Sequence, residues 1–423
     1  MLLSSKTFYP LLFALLSTFT LSAQLKLSSP EAVGMSSDRL DYLTDVMQDF
    51  VDDGDLPGTV VLVSRRGEVP YFKAFGDSDI EDDVPMKDNT IFRIASQTKA
   101  IVSVGIMILQ EQGRLLISDP VGDHIPEFKK TTVAVAIDSG GYEVVPADRQ
   151  ITIRDLLTHT AGIGYGGGPA AIEWNKAGIQ GWYFAHREEP ILETVKKMAS
   201  LPQEAQPGER FVYGYNTDIL GALIEVVSGE TLEDFLQSNI LDPLGMTDTH
   251  FYLPPEKTNR LAKVYSASDA GLTLAPSPGG MVGQGAYVGG PRVSFSGGAG
   301  YLSTASDYAT FLQMMLNKGT YKGHRILSKK SVELMTVDHL GDIEFPWTGG
   351  TGFGLGFSVL KDLGDRGALG TVGEYAWGGA YHSVYWVDPK EELIVVYFTQ
   401  LIPAGDILDH QKLRALVYQA IVD

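Results

Sequence analysis

The strand-like segments of this 423-residue sequence lie near its two ends, and this arrangement constrains the fold more than any other feature. Two runs near the amino end, rich in β-branched and aromatic residues, are joined by Arg66-Gly67, which is a hairpin signal. The predicted strands are Thr59–Val63, Val69–Phe75, Gly352–Leu360, Tyr381–Val387 and Leu393–Thr399. Strands at both ends with helices between them predict one α/β domain that is interrupted by a helical insertion.

Helical signals accompany these strands. Ser36 and Ser37 can cap a helix whose apolar residues recur at helical spacing as far as Phe50. The segment Ile101–Leu109 is apolar on nearly every face, which predicts a helix buried in the middle of the protein. A final amphipathic helix is predicted over Ile407–Val422. The residues from about 120 to 330 are mostly helical segments broken by Gly-rich loops.

The first residues have the pattern of a secretory signal peptide. Lys6 is followed by the apolar run Pro10–Leu21 and by the small residues Ser22 and Ala23. The run is too short to span a bilayer. We therefore predict a signal peptide over residues 1–23, cleaved after Ala23 or after Ser22, and a secreted or periplasmic protein without a stable membrane span. A buried N-terminal helix is the alternative.

Composition excludes several classes of function. The formal net charge is −19, and so acidic a surface repels phosphate backbones, which disfavours nucleic acid as a partner. The sequence contains no cysteine, so disulfides, thiolate metal sites and cysteine nucleophiles are all ruled out. A small-molecule substrate fits this composition, and the oligomeric state stays open.

The sequence contains Ser-x-x-Lys twice, and the two copies can be separated physically. Ser358 and Lys361 fall in a strand-like run, where residues three apart point to opposite faces, so these side chains are not expected to meet. Ser96 precedes the predicted buried helix, so Ser96 and Lys99 lie one turn apart on one face. Burial disfavours the charged ammonium and makes Lys99 a usable proton acceptor for the serine. An N-cap serine beside a surface lysine is the alternative reading.

The residues around Ser96 and Lys99 favour a catalytic pair over an N-cap serine beside a surface lysine. The segment Phe92–Lys99, with the sequence FRIASQTK, resembles the active-site segment of the serine β-lactamase and penicillin-binding protein superfamily. Further blocks resemble the same superfamily in the same order: Asp119–Val121, Ile151–Gly162, Pro207–Phe211, Pro243–Met246, Gly298–Thr304 and Gly352–Phe357. The resemblance covers roughly residues 30 to 420 and is strongest to the class C β-lactamase-like carboxylesterases, called family VIII esterases.

The resemblance implies a fold and a set of domains. It implies the α+β class with a β-lactamase/transpeptidase-like fold, in which an α/β sandwich with an antiparallel sheet flanked by helices is joined to an all-helical domain. The sandwich is expected over residues 24–120 and 330–423, and the mostly helical domain with Gly-rich loops over 121–329.

The resemblance also implies the catalytic residues. Ser96 is expected to be the nucleophile, and Lys99 and Tyr213 are expected to share the general-base and general-acid work. Tyr213 fits the esterase-like spacing Tyr-x-x-x-x-Asp-x-Leu-Gly, and Tyr215-Asn216 is a rival register. A core tyrosine is the alternative role for either. Which of Lys99 and Tyr213 takes the first proton stays open.

The superfamily has a third motif after the Ser-x-x-Lys and tyrosine motifs, normally Lys-Thr-Gly. This sequence has Trp377-Gly378-Gly379-Ala380 in its place. The cation that could pair with a substrate carboxylate is thus replaced by a neutral aromatic residue. Penicillins and peptidoglycan stems carry such a carboxylate and simple esters do not, so the replacement favours simple esters as substrates. By resemblance, the N–H groups of Ser96 and Ala380 form the oxyanion hole.

Several neighbours are candidates for substrate binding. The predicted substrate-binding residues are Trp377, Gly378, Gly379, Tyr165, Tyr215 and Asn216. Trp174, Trp182 and Tyr183 line a pocket or belong to the helical core, and His159 is expected to be structural support. We predict a secreted serine hydrolase that cleaves carboxylic esters through an acyl-enzyme, with no metal and no cofactor. The alternatives are a β-lactamase or D,D-peptidase, an acyltransferase, and a non-catalytic binding or sensor domain.

Overall fold

The computed structural model describes residues 25–138, 140–276 and 280–423. The predicted signal peptide, residues 1–23, lies outside this part of the chain. Of the helices in the described ranges, none combines the length and the apolar character that a membrane crossing needs.

The secondary structure alternates strands and helices along the chain. The strands are β1 (Lys26–Leu27), β2 (Gly58–Arg65), β3 (Glu68–Asp79), β4 (Val84–Pro85), β5 (Phe92–Arg93), β6 (Thr132–Ala136), β7 (Tyr142–Pro146), β8 (Tyr265–Ser268), β9 (Gly271–Leu274), β10 (Leu302–Ser303), β11 (Thr320–Tyr321), β12 (His324–Arg325), β13 (Thr351–Phe353), β14 (Ser358–Leu360), β15 (Tyr375–Gly379), β16 (Ser383–Asp388) and β17 (Leu393–Phe398). The α-helices are α1 (Ser37–Asp52), α2 (Thr98–Glu111), α3 (Ile153–Leu157), α4 (Ala171–Lys176), α5 (Ile191–Ala199), α6 (Asn216–Ser228), α7 (Leu232–Leu236), α8 (Asp242–Leu244), α9 (Gly280–Gly283), α10 (Ala286–Gly289), α11 (Ala305–Leu316), α12 (Lys329–Met335), α13 (Leu363–Arg366) and α14 (Asp409–Tyr418).

The two ends of the chain meet in one sheet. Within the described residues its nine strands run in the order β1-β3-β2-β17-β16-β15-β14-β13, with β4 paired to β3. The join is the antiparallel pair β2–β17, in which Val63 lies opposite Val395. Apart from the parallel pair β1–β3, neighbouring strands are antiparallel. The predicted α+β class with an antiparallel sheet is confirmed.

The sheet has apolar residues on both faces. Successive side chains along its central strands point alternately into two hydrophobic cores. In β2, Val60 and Leu62 pack into the larger core with α2 and α11, whereas Val61 and Val63 pack against α1 and α14 on the other face. Each fully buried side chain of this size contributes about 1.5–3 kcal/mol. The two cores hold the sheet between helical layers on either side.

The predicted central helix is confirmed and extends over the whole of α2. Its residues from Thr98 to Leu109 are buried, and it packs against α6 as well as α7. Because α2 lies between the sheet and the helical part of the chain, the residues at its amino end are in reach of both.

Two predicted strands differ from the structure, and the predicted helical middle of the chain also contains strands. The run Gly352–Leu360 is a hairpin, β13–β14, because the glycines at 354 and 356 form its turn. The strand predicted at Tyr381–Val387 begins at Ser383, and Trp377–Gly379 belong to the preceding strand. The middle of the chain also holds the antiparallel hairpins β6–β7 and β8–β9, for which alternating residues such as Val133 and Val135 were the available sequence signal.

Candidate active site

Ser96 lies at the amino end of α2, in a short 3₁₀ turn over Ala95–Gln97. Ala95 has φ +43°, a left-handed conformation that L-residues rarely adopt and that the surrounding structure must impose. The Tyr308 hydroxyl donates to the Gln97 carbonyl (2.9 Å), and Tyr301 N–H donates to Thr98 Oγ1 (3.0 Å). These contacts fix the turn that presents Ser96.

Lys99 is buried, and its amine is surrounded by oxygen atoms. The Lys99 Nζ lies 3.3 Å from Ser96 Oγ, 3.0 Å from Tyr165 Oη and 2.7 Å from the Gly298 carbonyl oxygen. Its side chain is enclosed, with the residue only 1% exposed. An amine in this position can take the proton of a serine hydroxyl when that oxygen attacks a carbonyl carbon.

Tyr213 contacts the same lysine through its ring. The Lys99 Nζ lies 4.6 Å from the centre of the Tyr213 ring, and the indole Nε1–H of Trp377 donates to Tyr213 Oη (3.1 Å). The tyrosine hydroxyl that is hydrogen-bonded to Lys99 Nζ is that of Tyr165 and not that of Tyr213. Burial, with the hydroxyl of Tyr213 close by, raises the pKa of Tyr165 well above its usual value, so Tyr165 keeps its proton at neutral pH.

Tyr215 and Asn216 lie behind this cluster and hold the loop that carries Tyr165. The Asn216 amide Nδ2 donates to His159 Nδ1 (2.9 Å) and to the Ile163 carbonyl (3.1 Å). Tyr215 stacks on Trp174, and its hydroxyl donates to the Tyr165 carbonyl (3.4 Å). Both residues are buried, so their place in the structure is support of the loop rather than the wall of the cleft.

His159 packs its ring against Tyr213, with 4.6 Å between the ring centres. Burial and the nearby charge of Lys99 lower the pKa of His159 well below its usual value. The imidazole is therefore neutral at neutral pH and accepts the Asn216 hydrogen bond. This position agrees with its expected structural role.

The edge of β15 reaches the Ser96 turn through glycine. A Cβ on Gly379 would lie 2.6 Å from the Ile94 carbonyl oxygen, which is closer than any side chain tolerates. Ala380 follows directly, and Ala380 and Ser96 line the same cavity. The two backbone groups predicted to form the oxyanion hole thus belong to segments in direct contact.

The cavity at Ser96 is an open cleft of about 370 Å³ with mostly aromatic walls. Its lining residues are Ser96, Tyr165, Trp182, Tyr213, Trp347, Trp377, Gly378 and Ala380. Trp174 is buried in the core instead, and Tyr183 packs against Tyr287. The cleft can take an apolar substrate whose reacting carbonyl faces Ser96.

The second Ser-x-x-Lys segment forms no such pair. The Ser358 hydroxyl donates to the Ala376 carbonyl (2.9 Å), while Lys361 pairs with Asp338 (3.0 Å). The two side chains therefore have separate partners, as the strand spacing predicts.

Among the described residues, His382, Asp409 and His410 form a cluster of metal-ligand type next to this site. The imidazole rings of His382 and His410 are stacked, 4.0 Å apart and 12° from parallel. A metal ion binds in the plane of an imidazole ring, and one ion cannot lie in both of these planes. The cluster instead ties the turn after Ala380 to α14 through the His382–Asp409 contact of 2.8 Å.

The profile of the family described as Beta-lactamase matches residues 43–418. The chain belongs to the beta-lactamase family. Protein Rv1367c of Mycobacterium tuberculosis is 34% identical over 380 residues, which cover 84% of this chain and 89% of that protein. Esterase EstB of Burkholderia gladioli is 29% identical over 370 residues, 83% of this chain and 87% of that protein.

A similar solved structure agrees with this family assignment. EstCE1, described as a hydrolase with promiscuous acyltransferase activity, superposes with a TM-score of 0.77 at 27% identity, covering 90% of this chain and 98% of that one. The resemblance to the serine β-lactamase and penicillin-binding protein superfamily and the β-lactamase/transpeptidase-like fold are confirmed. Membership of the beta-lactamase family supports serine hydrolase or esterase-type activity.

Sequence reasoning missed two contributors to the site of this beta-lactamase family member. Trp347 lines the cleft, with its ring centre 5.6 Å from that of Trp377. Its signal was weaker than that of Trp377, because Thr348 separates Trp347 from the glycine pair Gly349-Gly350. The Gly298 carbonyl had no such signal, because every residue carries a carbonyl group.

Proposed function

We propose that this protein is an exported carboxylesterase that forms a covalent acyl-enzyme on Ser96. The observation that carries the proposal is the 3.3 Å contact between Ser96 Oγ and the buried Lys99 amine at the base of an aromatic cleft. A serine hydroxyl needs a nearby proton acceptor to become a nucleophile, and Lys99 supplies one.

The reaction proceeds in two halves. Ser96 Oγ attacks the ester carbonyl carbon, its proton passes to the Lys99–Tyr213 pair, and the N–H groups of Ser96 and Ala380 bind the oxyanion. The alcohol leaves with a proton from the same pair. A water molecule then attacks the acyl-enzyme and gives a proton to the pair. The pair returns that proton to Ser96 Oγ as the bond from the acyl carbon to Oγ breaks, which releases the carboxylic acid and restores the serine hydroxyl.

The walls of the cleft favour an ester over a β-lactam or a peptide. The lining residues include no arginine or lysine, and the buried Lys99 amine behind them already contacts three oxygen atoms. A penicillin or a peptidoglycan stem brings a carboxylate that needs a cationic partner. Trp377 offers that carboxylate an indole instead.

The deciding experiment compares esters, anilides and a chromogenic cephalosporin on the wild type, on Ser96→Ala and on the matched control Ser358→Ala. We expect the wild type and Ser358→Ala to hydrolyse short-chain p-nitrophenyl esters fastest. We expect Ser96→Ala to lose at least about 1000-fold in kcat/KM with its circular dichroism unchanged. Equal ester hydrolysis by Ser96→Ala would refute the mechanism, and faster cephalosporin turnover would make the protein a β-lactamase.

The covalent step has its own readout. A serine-directed phosphonate is expected to add its mass to the peptide that contains Ser96 and to no other peptide. A wild-type chain that neither labels nor hydrolyses any ester would be a non-catalytic binding domain.

Acyl transfer is the second candidate. EstCE1, similar to this chain over most of its length, is described as a hydrolase with promiscuous acyltransferase activity. An open cleft admits an alcohol as readily as water to the acyl-enzyme. Product analysis with a competing alcohol separates the two: a transferred ester as the main product would identify an acyltransferase.

Export is a separate part of the proposal and depends on the sequence pattern of residues 1–23. Expression of the full chain followed by N-terminal sequencing is expected to give a mature end at Gln24 or Ala23. A cell-retained protein that still begins at Met1 would contradict export and leave the esterase proposal intact.

A further inference from the structure

The hydrogen bond from Lys99 to Gly298 is one end of a longer chain of hydrogen bonds. The Gly298 carbonyl accepts from Lys99 Nζ (2.7 Å), and the N–H at the other end of the same peptide group, that of Ala299, donates to Ser296 Oγ (3.2 Å). The Ser296 hydroxyl donates to Asp218 Oδ1 (2.6 Å). One peptide group therefore connects the carboxylate of Asp218 to the amine of Lys99.

Asp218 lies in the first turn of α6 and is fully buried. Its Oδ1 also accepts from Gly298 N–H (3.1 Å), whereas its Oδ2 has no hydrogen-bond partner within the described part of the chain. Burial raises the pKa of Asp218, against the opposing effects of the Ser296 hydrogen bond and the Lys99 charge. A buried carboxylate with one oxygen that lacks a hydrogen-bond partner destabilises a fold. The stability of the fold therefore does not explain why an aspartate occupies position 218.

The loop that carries Gly298 packs so closely against the Asp218 carboxylate and the neighbouring backbone of α6 that no side chain fits at Gly297 or Gly298. A Cβ on Gly298 would lie 2.3 Å from Asp218 Oδ2, and a Cβ on Gly297 would lie 2.4 Å from the Thr217 carbonyl oxygen. Both glycines are required for this close approach. The contact is therefore specific, and the peptide that receives the lysine hydrogen bond is held directly by α6.

Three titratable side chains around Lys99 and Asp218 have shifted pKa values that keep them neutral at neutral pH. Burial raises the pKa of Tyr165 and of Tyr215, which both interact with Asp218, and burial lowers the pKa of His159. Tyr213 faces the lysine through its ring. Asp218 is thus the carboxylate that faces the Lys99 amine within this buried group.

We propose that Asp218 is a positioning residue that acts through Ser296 and the Gly298–Ala299 peptide to hold the Lys99 amine against Ser96 and to stabilise its ammonium form. The inference rests on the proposed function, because it assigns Asp218 a role in that same proton transfer. When the proton leaves Ser96 Oγ for Lys99 Nζ, the new positive charge lies opposite a polarised carbonyl. The Ser296 hydrogen bonds to a charged group and to the peptide strengthen that polarity in series.

The test uses Asp218→Asn, which removes the charge, and Ser296→Ala, which breaks the connection but keeps the charge. Asp307→Asn is the matched control, because Asp307 is also a buried carboxylate bonded to a hydroxyl (Thr249, 3.1 Å) and to a backbone N–H (Asp248, 2.8 Å). The readouts are the rate of phosphonate labelling of Ser96 across the pH range, ester hydrolysis and thermal melting.

We expect Asp218→Asn to label about 10-fold to 100-fold more slowly and to move the acid limb of the pH profile to lower pH by at least about half a unit. Removing the negative charge disfavours the ammonium, so the amine becomes free at lower pH. Ser296→Ala is expected to slow labelling by about tenfold with a smaller shift of the limb. Asp307→Asn is expected to change melting alone.

The inference is overturned if the acid limb of Asp218→Asn coincides with that of the wild type, or if Asp307→Asn moves the limb equally. Should Asp218→Asn fail to fold, Ser296→Ala decides: unchanged labelling in that variant overturns the inference. Labelling does not require an ester substrate, so a wild type that labels on Ser96 but hydrolyses no ester would refute the proposed function and still test Asp218.

Discussion

The two Ser-x-x-Lys segments of this protein lie at opposite ends of the same strand, β15. At one end the Ser358 hydroxyl donates to Ala376 (2.9 Å), and at the other Gly379 packs against Ile94, two residues before Ser96. In one place the serine and lysine of the pattern form a close pair, and in the other they have separate partners. The difference lies in the backbone, because a helical turn brings residues three apart together and a strand end does not.

Burial separates the two lysines further. Lys99 is enclosed and contacts three oxygen atoms, one of which is Ser96 Oγ. Lys361 is partly exposed and is paired with the carboxylate of Asp338 (3.0 Å). The Lys361 amine is held by the carboxylate of Asp338 and not by the serine of its own motif, whereas the Lys99 amine lies within hydrogen-bond distance of Ser96 Oγ. The motif therefore has chemical meaning only where the fold buries it.

The largest expected effect contrasts the two lysines directly. Lys99→Met keeps the length of the side chain but removes the proton acceptor, and we expect kcat/KM for a p-nitrophenyl ester to fall by about 100-fold to 10,000-fold. Lys361→Met is the matched control and is expected to stay within about twofold of the wild type. If both variants lose activity equally, the distinction between the two segments is wrong.

The next effect concerns which tyrosine completes the pair with Lys99. We expect Tyr213→Phe to lose about 100-fold or more in kcat, because the proposed mechanism uses its hydroxyl to carry the proton to the leaving alcohol. Tyr165→Phe is expected to lose less than about tenfold, since burial keeps the Tyr165 hydroxyl protonated and it serves as a hydrogen-bond acceptor for Lys99. The measurement is steady-state hydrolysis of one ester.

Tyr215→Phe is the control for the choice of register. In the described part of the chain the Tyr215 hydroxyl bonds to the Tyr165 carbonyl and to no other group, so a small loss is expected. An inactive Tyr215→Phe beside an active Tyr213→Phe would assign the second motif to Tyr215-Asn216 instead.

A third effect tests the contact of β15 with the Ser96 turn. Gly379→Ala places a methyl group 2.6 Å from the Ile94 carbonyl oxygen, so the strand or the turn must move. A displacement of this size at the oxyanion groups is expected to cost about 10-fold to 100-fold in kcat.

Gly364→Ala is the matched control near Lys361. A Cβ there would meet Asp362 Oδ1 at 3.4 Å, an ordinary contact, so activity is expected to be unchanged. Full activity in Gly379→Ala would mean that the approach of β15 does not set the geometry at Ser96.

The parts of the fold that could be predicted from the sequence are those with local signals. The apolar run Ile101–Leu109 predicted α2, and helical spacing predicted that Ser96 and Lys99 meet. The resemblance to known motifs then supplied the antiparallel sheet that joins the two ends of the chain. Each of these features depends on short patterns or on a family relationship.

The remaining parts depend on contacts between distant segments. The Gly298 carbonyl meets Lys99 across 199 positions of the chain, and a carbonyl carries no sequence signature. The sequence offered Tyr165, Tyr213 and Tyr215 as candidates, but the packing of the Tyr165 loop on Trp174 and Tyr215 decides which hydroxyl reaches the lysine. Trp347 reached the cleft through the same kind of long-range packing.

The smallest expected effect returns to the second segment and concerns stability. Burial opposes ionisation of Asp338, but the hydrogen bond from Lys361 and the backbone N–H groups of Leu340 and Phe353 outweigh it and lower the pKa of Asp338. The stability from this pairing is present above the ordinary aspartate pKa and is lost as pH falls through the lowered one. Lys361→Met is expected to reduce the free energy of unfolding by about 0.5–1 kcal/mol at neutral pH, measured by urea denaturation. The difference from the wild type is expected to vanish in acid, where Asp338 is protonated. A loss that persists in acid would assign the effect to packing of the lysine stem against the β13–β14 hairpin rather than to its charge.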